Sequence, residues 1–206
     1  MADSKSFWDE RFGQSSYVYG ESPNAYLKSK LSEMKTGKIL FPCEGEGRNA
    51  VYAATLGWDV FAFDQSLEGK KKAAQLALKH SVQLEYSIDD IAHVNYTQDS
   101  FDSLALIFAH FPSSVRRQLH RKLAGFLKKG GFLILEGFDK GHKANQQTNP
   151  KAGGPADVDM LFDIQELKED FENFEFIEAE TIIDTLHEGD YHVGISNLTR
   201  IFAIKK

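Results

Sequence analysis

Two glycines and a nearby acid set the chemistry open to this sequence. Gly45 and Gly47 lie in Lys38-Ile-Leu-Phe-Pro-Cys-Glu-Gly-Glu-Gly-Arg-Asn-Ala50, behind a short apolar run and ahead of a helical one. Glycine at such a junction lets the backbone turn tightly and come close to a ligand. Asp64 closes the next apolar run, nineteen residues beyond Gly45. An acid at that distance is placed to accept hydrogen bonds from ribose hydroxyls. Run, turn, helix and acid together indicate adenosine binding at the carboxyl-terminal edge of a sheet. The bland alternative is a tight turn beside a solvated Asp64.

The spacing Gly45-x-Gly47-x-x-Ala50 also permits a dinucleotide. Glu44 and Glu46 flank the loop, however, and carboxylates beside a pyrophosphate would repel it. Asp64 likewise opposes a ribose 2′-phosphate. A cationic ligand suits the same charges, and S-adenosylmethionine carries a sulfonium and an ammonium with no phosphate. Methyl transfer from a sulfonium is an in-line displacement with a neutral leaving group, so a protein mainly has to align acceptor, methyl and sulfur. Aromatic faces stabilise such a cation by ~0.5–2 kcal/mol. Tyr17, Tyr19, Phe108 and Phe111 are candidates, with core packing as the alternative for each phenylalanine. His110 has a suitable unperturbed pKa for a base; the alternative is a histidine that holds a loop carbonyl or shapes the pocket. In His187-Glu-Gly-Asp-Tyr-His192 the histidines are five apart and Gly189 interrupts any helix, so the i, i+4 zinc pattern fails and no metal is expected.

Elements must position these residues. Ser22-Pro23 reads as a helix start with Ser22 as N-cap, leading to a helix that ends near Met34. Residues 38–41, 59–63, 82–86, 104–109 and 132–135 read as strands, and residues 48–56 and 66–79 as helices. Pro112 opens a further helix, where Val115, Leu119, Leu123, Phe126 and Leu127 share one face. Lys129-Gly-Gly131 is expected to stop it. Alternating strands and helices imply parallel β-α-β units, and strands apolar throughout imply a sheet covered on both faces. The tail changes character. Asp163-Ile-Gln-Glu166 resembles a capping box. Residues 174–184 and 193–204 read as two strands joined by His187-Glu-Gly-Asp190, which pair antiparallel. Residues 141–155, rich in Gly, Asn, Gln and Pro, form the one long loop signal, of the kind that is functional or mobile.

The chain has 206 residues, which favours one domain. With 42% hydrophobic and 26% charged residues it is neither disordered nor collagen-like. Its apolar runs are too short to span a bilayer, and Met-Ala-Asp-Ser-Lys-Ser-Phe-Trp shows no apolar leader. The single cysteine, Cys43, rules out an internal disulfide. The expected location is cytoplasmic. A net charge of −6 argues against a nucleic-acid partner. Lys70-Lys-Lys72 reads as a solvated helix face.

The sequence resembles the class I S-adenosylmethionine-dependent methyltransferases, in particular the small tellurite-resistance and thiopurine-methyltransferase-like subgroup. The likeness covers nearly the whole chain. It is carried by Trp8-Asp-Glu-Arg11, Tyr17-Val-Tyr-Gly20 with Pro23-Asn24, Glu44-Gly-Glu-Gly-Arg-Asn49 and Gly57-Trp-Asp-Val60 leading to Asp64. It continues in His110-Phe-Pro112, Leu127-Lys-Lys-Gly-Gly131, Gly153-Gly-Pro155 and Glu188-Gly-x-Tyr-His192. The resemblance implies an α/β, Rossmann-like fold. Its mostly parallel seven-stranded sheet would carry helices on both faces and end in an antiparallel hairpin. One domain over residues 1–206 is expected, with residues 1–36 as a helical cap over the cofactor site and 141–160 as a mobile loop or lid.

The resemblance also implies S-adenosylmethionine as cofactor, with S-adenosylhomocysteine as product. Glu44, Gly45, Glu46 and Gly47 would pack on the methionine part. Asp64 and Gln65 would hold the ribose, and Ser87, Ile88, Asp89 and Asp90 the adenine. Ala109, His110 and Phe111 would line the transfer site under a segment containing Tyr17, Tyr19 and Gly20. Tyr19 is thereby a cofactor contact, and Tyr17, His110 and Phe111 an acceptor pocket. The sequence departs from the usual Asp-x-Gly-x-Gly-x-Gly at its first positions, which are Phe41 and Cys43. Glu44 or Glu46 would then hold the ammonium in place of the missing acid. The implied activity is methyl transfer to a small acceptor (a thiol, a metalloid oxyanion or a heterocycle) by a monomer or homodimer, with no nucleic acid or membrane as partner. The rivals are a non-catalytic S-adenosylmethionine-binding protein, a methyltransferase acting on a larger protein partner, and an NAD-dependent oxidoreductase.

Overall fold

A computed structural model describes residues 2–206. The chain runs α1 (Ala2–Phe12), α2 (Ala25–Glu33), β1 (Lys38–Pro42), α3 (Arg48–Thr55), β2 (Asp59–Asp64), α4 (Leu67–Lys79) and β3 (Glu85–Ile88). It continues with β4 (Phe101–Ile107), α5 (Ser113–Phe126), β5 (Leu127–Phe138), α6 (His142–Thr148), α7 (Ile164–Asp170), β6 (Phe174–Glu188) and β7 (His192–Lys205). The seven strands lie in the order β3-β2-β1-β4-β5-β7-β6. β1 to β5 pair in parallel, and β7 pairs antiparallel with both β5 and β6. This is the expected parallel sheet closed by a hairpin.

Both faces are covered. On one, Leu104, Leu106, Leu133 and Leu135 pack against Leu123 and Phe126 of α5 and Leu167 of α7. On the other, Ile39, Phe41, Ala105 and Ile134 pack against Leu27 and Leu31 of α2 and Ala50 and Ala53 of α3. Strand residues thus alternate between two dry layers, which is why the sequence shows continuous apolar runs rather than a polar–apolar alternation.

Several boundaries move. Asn24, not Ser22, caps α2: its side-chain oxygen accepts the Leu27 N–H at 2.9 Å, which leaves Pro23 outside the helix. Lys129-Gly-Gly131 does not cap α5, because Leu127 already pairs with Phe101 and the glycines lie within β5. The fourth strand ends at Ile107, where Phe108 turns to φ 54. Residues 141–160 are structured rather than open loop, with α6 followed by a 3-10 turn at Val158–Met160. Gln146 Nε2 donates to the carbonyls of Gly153 and Pro155, and Asn149 Nδ2 to that of Val193, so side-chain amides do the ordering that hydrophobic periodicity would have revealed. Among the described residues no helix is long and apolar enough to cross a membrane.

Candidate functional site

β1 and β4 are neighbours, yet α3 follows β1 on one face and α5 follows β4 on the other. The loops beyond them therefore part, and such a switch point at the carboxyl edge of a parallel sheet opens a crevice for a ligand. The glycine loop runs along it. Cys43, Gly45 and Gly47 have φ values of 54°, 61° and 86°, so every second residue is left-handed and the intervening peptide groups turn alternately.

Asp64 ties this loop to β2. Its Oδ2 accepts the Gly45 N–H at 3.1 Å and its Oδ1 the Ser66 N–H at 2.9 Å. Tyr86 donates to the Gly45 carbonyl at 2.7 Å, and the Asp89 N–H to the Asp64 carbonyl at 3.0 Å. Glu44 Oε1 accepts the N–H groups of Asn49 and Ala50 at 2.9 and 2.8 Å, at the positive start of α3. Burial pushes the Asp64 carboxyl up to about 6 and the Glu44 carboxyl up to about 7. Among the described residues neither is within salt-bridge distance of a lysine or arginine, although the Arg48 charge works to lower Glu44. Asp90 adds a third negative charge near Cys43, and its Oδ1 accepts the Ala92 N–H at 2.8 Å. Ser87 and Ile88 end β3 alongside Phe63 and Asp64. This donor set fits a ligand that offers hydroxyls and a positive charge, and it opposes a pyrophosphate. S-adenosylmethionine has those features.

Glu46 serves the scaffold instead. Its Oε2 accepts the Val18 N–H at 2.8 Å, and its Oε1 pairs with Lys72 Nζ at 2.7 Å. Lys72 also reaches the Ser16 carbonyl at 2.6 Å, so it is buried rather than on the solvated face expected of it. Together these bonds fasten residues 16–19 over the loop, and Glu44 is left as the acid suited to an ammonium. Tyr17 is likewise taken up by the scaffold. Its hydroxyl donates to the Lys72 carbonyl at 3.0 Å, and its ring packs with Val51, Leu76 and Ala77. Tyr19 remains with the site. Its ring centroid lies 4.4 Å from that of His192, and its hydroxyl accepts from Arg11 at 3.3 Å.

A buried polar network closes the far side. Arg48 Nη2 donates to Glu188 Oε2 at 2.7 Å, and His192 Nδ1 lies 3.1 Å from the same oxygen. Asn24 Nδ2 bridges Glu136 Oε1 at 2.6 Å and Glu188 Oε1 at 3.1 Å, while Arg200 completes Glu136. Burial works to raise Glu188, but Arg48 and His192 hold it at about 2. The hairpin tip is pinned to the N-terminal segment: the Asp190 N–H donates to the Val18 carbonyl at 2.8 Å, and a Cβ on Gly189 would lie 2.3 Å from that oxygen. Spacing along the sequence does not reveal this network, because its members come from five separated segments. In the sequence the Glu188-His192 pair stands out as part of a family-like motif and of a metal pattern that fails, neither of which gives it a partner, and His187 is exposed.

After β4, Ala109 is buried and Phe111 turns into the core, edge-on to His120 at 5.6 Å. His110 is fully engaged. Nδ1 lies 2.9 Å from the Met160 carbonyl, and Nε2 accepts the Phe138 N–H at 3.1 Å. Burial lowers the ring to about 3. This geometry favours the pocket-shaping role over that of base. Phe108, rather than Phe111, faces the hairpin, with ring centroids 4.3 Å from His192 and 4.8 Å from Phe138.

The fold, the glycine loop and the acid after β2 together are similar to those of class I methyltransferase domains. Residues 39–131 match the family model described as a methyltransferase domain. Two probable S-adenosyl-L-methionine-dependent methyltransferases TehB, from two strains of Haemophilus influenzae, are 22% identical over 161 residues, 74% of this chain and 53% of theirs. The chain thus spans about half the length of these curated relatives. The crystal structure of Haemophilus influenzae TehB superposes with a TM-score of 0.71 at 17% identity, covering 98% of this chain and 67% of that one. Magnesium protoporphyrin IX methyltransferase from Synechocystis, crystallised with S-adenosylhomocysteine, gives 0.72 at 13% identity over 100% and 99% of the two chains. The chain is thus similar to S-adenosylmethionine-dependent methyltransferases, in fold over nearly its whole length and in sequence most clearly over residues 39–131.

Proposed function

We propose that the protein methylates a small acceptor, a thiol, a metalloid oxyanion or a heterocycle, with S-adenosylmethionine as donor. The observation that carries this reading is the pair of carboxylates at the glycine loop, buried Asp64 and half-buried Glu44, neither of them in a salt bridge among the described residues. The donor, when bound, supplies a methyl group activated by positive sulfur. Glu44, Gly45 and Gly47 would surround its methionine part, with Glu46 holding the N-terminal segment over them, Asp64 and Gln65 the ribose, and Ser87, Ile88, Asp89 and Asp90 the adenine. Ala109 and Tyr19 would complete the cofactor contacts, with His110 shaping the acceptor pocket. Phe108, Tyr19 and the hairpin tip keep water from the reacting atoms, which strengthens charge interactions there. Residues 1–36 act as a cap and 141–160 as a lid. The acceptor named for one structural neighbour, magnesium protoporphyrin IX, supports a small acceptor, and the acidic charge balance supports a partner other than nucleic acid. The setting we propose is the cytoplasm, with the enzyme as a monomer or homodimer.

Calorimetric titration with S-adenosylmethionine, S-adenosylhomocysteine and NAD tests the reading. We expect the two sulfur compounds to bind, NAD to fail, and Asp64→Ala to lose binding. At 100 times the dissociation constant the ligand should stabilise the fold by ~2.7 kcal/mol. Failure of both sulfur compounds to bind would overturn the reading. Phe41, fully buried where the family's acid stands, motivates a second reading as a binding protein. That reading predicts the same titrations without turnover of any acceptor.

A further inference from the structure

His192 opens β7 at the hairpin tip. Its Nδ1 faces Glu188 Oε2 at 3.1 Å, and Glu188 is fixed in turn by Arg48 at 2.7 Å and Asn24 at 3.1 Å. An ionised carboxylate only accepts, so Nδ1 carries the proton and Nε2 keeps its lone pair. Among the described residues no protein group forms a hydrogen bond to Nε2. The ring is held between elements of the site. Tyr19 of the N-terminal segment lies at 4.4 Å, Phe108 at 4.3 Å, and a Cβ on Gly153 would come within 2.5 Å of Cδ2. Phe108 reaches this place at φ 54, a costly conformation for a bulky side chain and one that occurs where surrounding structure enforces it, often at functional sites. The carboxylate–imidazole pair therefore stands beside the segment after β4, where the crevice opens.

We propose that His192 is the base that takes the acceptor's proton, held in its working tautomer by Glu188 as a positioning residue, and that the acceptor is a neutral group bearing S–H, O–H or N–H. This rests on the methyl-transfer reading above. The acceptor heteroatom forms a bond to the methyl carbon, and the carbon–sulfur bond breaks with its electron pair going to sulfur. The heteroatom keeps the pair of its bond to hydrogen, and the proton passes to Nε2. One positive charge enters on the sulfonium and leaves on the imidazolium, which faces Glu188. The base can be weak, because the heteroatom's proton becomes strongly acidic as the new bond forms. Burial, Arg48 and His142 all disfavour a permanently charged ring, so His192 is neutral and ready at pH 7. His110 cannot share the task, since both its nitrogens are engaged.

The experiment compares wild type, His192→Asn and Glu188→Gln. Asparagine can keep a donor toward Glu188 but offers no Nε2. Nitrogen-detected NMR reads the tautomer, calorimetry reads S-adenosylmethionine affinity, and turnover is followed with 2-mercaptoethanol and phenol as probe acceptors, both neutral at pH 7 with hydrogen on the reacting atom. The expected result is a Nδ1–H tautomer in wild type and donor affinity within about twofold in His192→Asn. Turnover there should fall on the order of a hundredfold or more, as for loss of a general base. With S-adenosylmethionine saturating, so that Asp64 and Glu44 do not limit binding, the acid limb of the wild-type turnover profile near pH 4 should vanish in that variant, and Glu188→Gln should retain part of the rate. A Nε2–H tautomer, unchanged turnover in His192→Asn, donor binding lost only in that variant, or donor binding without turnover of either probe would each overturn the proposal. Absence of donor binding in wild type would instead overturn the methyl-transfer reading on which it rests.

Discussion

The ring of Phe12 rests on the backbone of Gly45 so closely that a Cβ there would lie 2.8 Å from Cζ. This contact makes α1 a dependent of the glycine loop. Gly45 also has φ 61, so Gly45→Ala combines a steric clash with a left-handed alanine, which alone costs ~1–2 kcal/mol. Phe12→Ala removes a buried ring that also reaches Gly69. We expect hydrogen exchange in residues 5–12 to accelerate at least tenfold in either variant, while β1 and β4 keep their protection, because the cap opens locally. S-adenosylmethionine affinity should fall in both. Unchanged exchange in α1 would show that the cap is held by other contacts.

Donor affinity should depend on pH. Burial raises Asp64 to about 6 and Glu44 to about 7. The charged forms are therefore disfavoured in the free fold, and these two groups contribute more stability below pH 6 than above pH 7. A ligand that brings hydroxyls and a positive charge prefers the carboxylates and must displace their protons. Affinity should rise from pH 5.5 to 7.5, by up to about tenfold per unit for one linked proton. Titrations near pH 6 in buffers of different ionisation enthalpy should show proton release. Affinity independent of pH would mean that neither carboxylate meets the ligand.

The parts of this site that are local in sequence were legible there, and the parts built from distant segments were not. Gly45 and Asp64 are linked through one strand-helix-strand unit, so their spacing alone places them together. Glu46 has the same residue type and neighbourhood as Glu44, yet it turns toward Lys72 and Val18, a choice set by how α4 and the N-terminal segment pack. Arg48, Glu136, Glu188, His192 and Arg200 meet only after the hairpin has joined β5. Phe108 and Phe111 look alike on paper, but the turn at Phe108 sends one ring to the hairpin and the other into the core. The order of residues 141–160 rests on asparagine and glutamine amides, which carry no periodicity.

His110 gives a variant that separates structure from chemistry. Its two nitrogens bridge the Met160 carbonyl and the Phe138 N–H, so His110→Ala leaves both backbone groups without their partner. At ~1–3 kcal/mol for each unsatisfied group, a loss of about 2–6 kcal/mol in unfolding free energy is expected by urea denaturation. Exchange should accelerate around residues 158–162. With the ring held near 3, His110 is neutral throughout the working range. Any remaining activity in the folded variant should therefore show the wild-type pH profile above pH 5. A profile whose ionisation disappears in His110→Ala would reassign this residue as a titrating group.

Cys43 occupies the left-handed turn after β1 at φ 54, where the family pattern has glycine. Burial comes first in pushing its thiol above the ordinary range, and Asp64, Asp90 and Glu44 push in the same direction. The thiolate is the reactive form, so the native protein should react with an aromatic disulfide reagent at pH 8 at least a hundredfold more slowly than the unfolded chain. Cys43→Gly removes a strain of ~1–2 kcal/mol but adds unfolded-state freedom of ~0.4–1 kcal/mol. The net change in stability should be a gain of ~0–1.6 kcal/mol. Cys43→Val keeps the strain and adds a branched side chain, so it should lower stability by at least ~1 kcal/mol relative to Cys43→Gly. Fast labelling of the native thiol would show that the turn opens on its own, and the carboxylates that raise this thiol would then be exposed to water rather than poised for a cation.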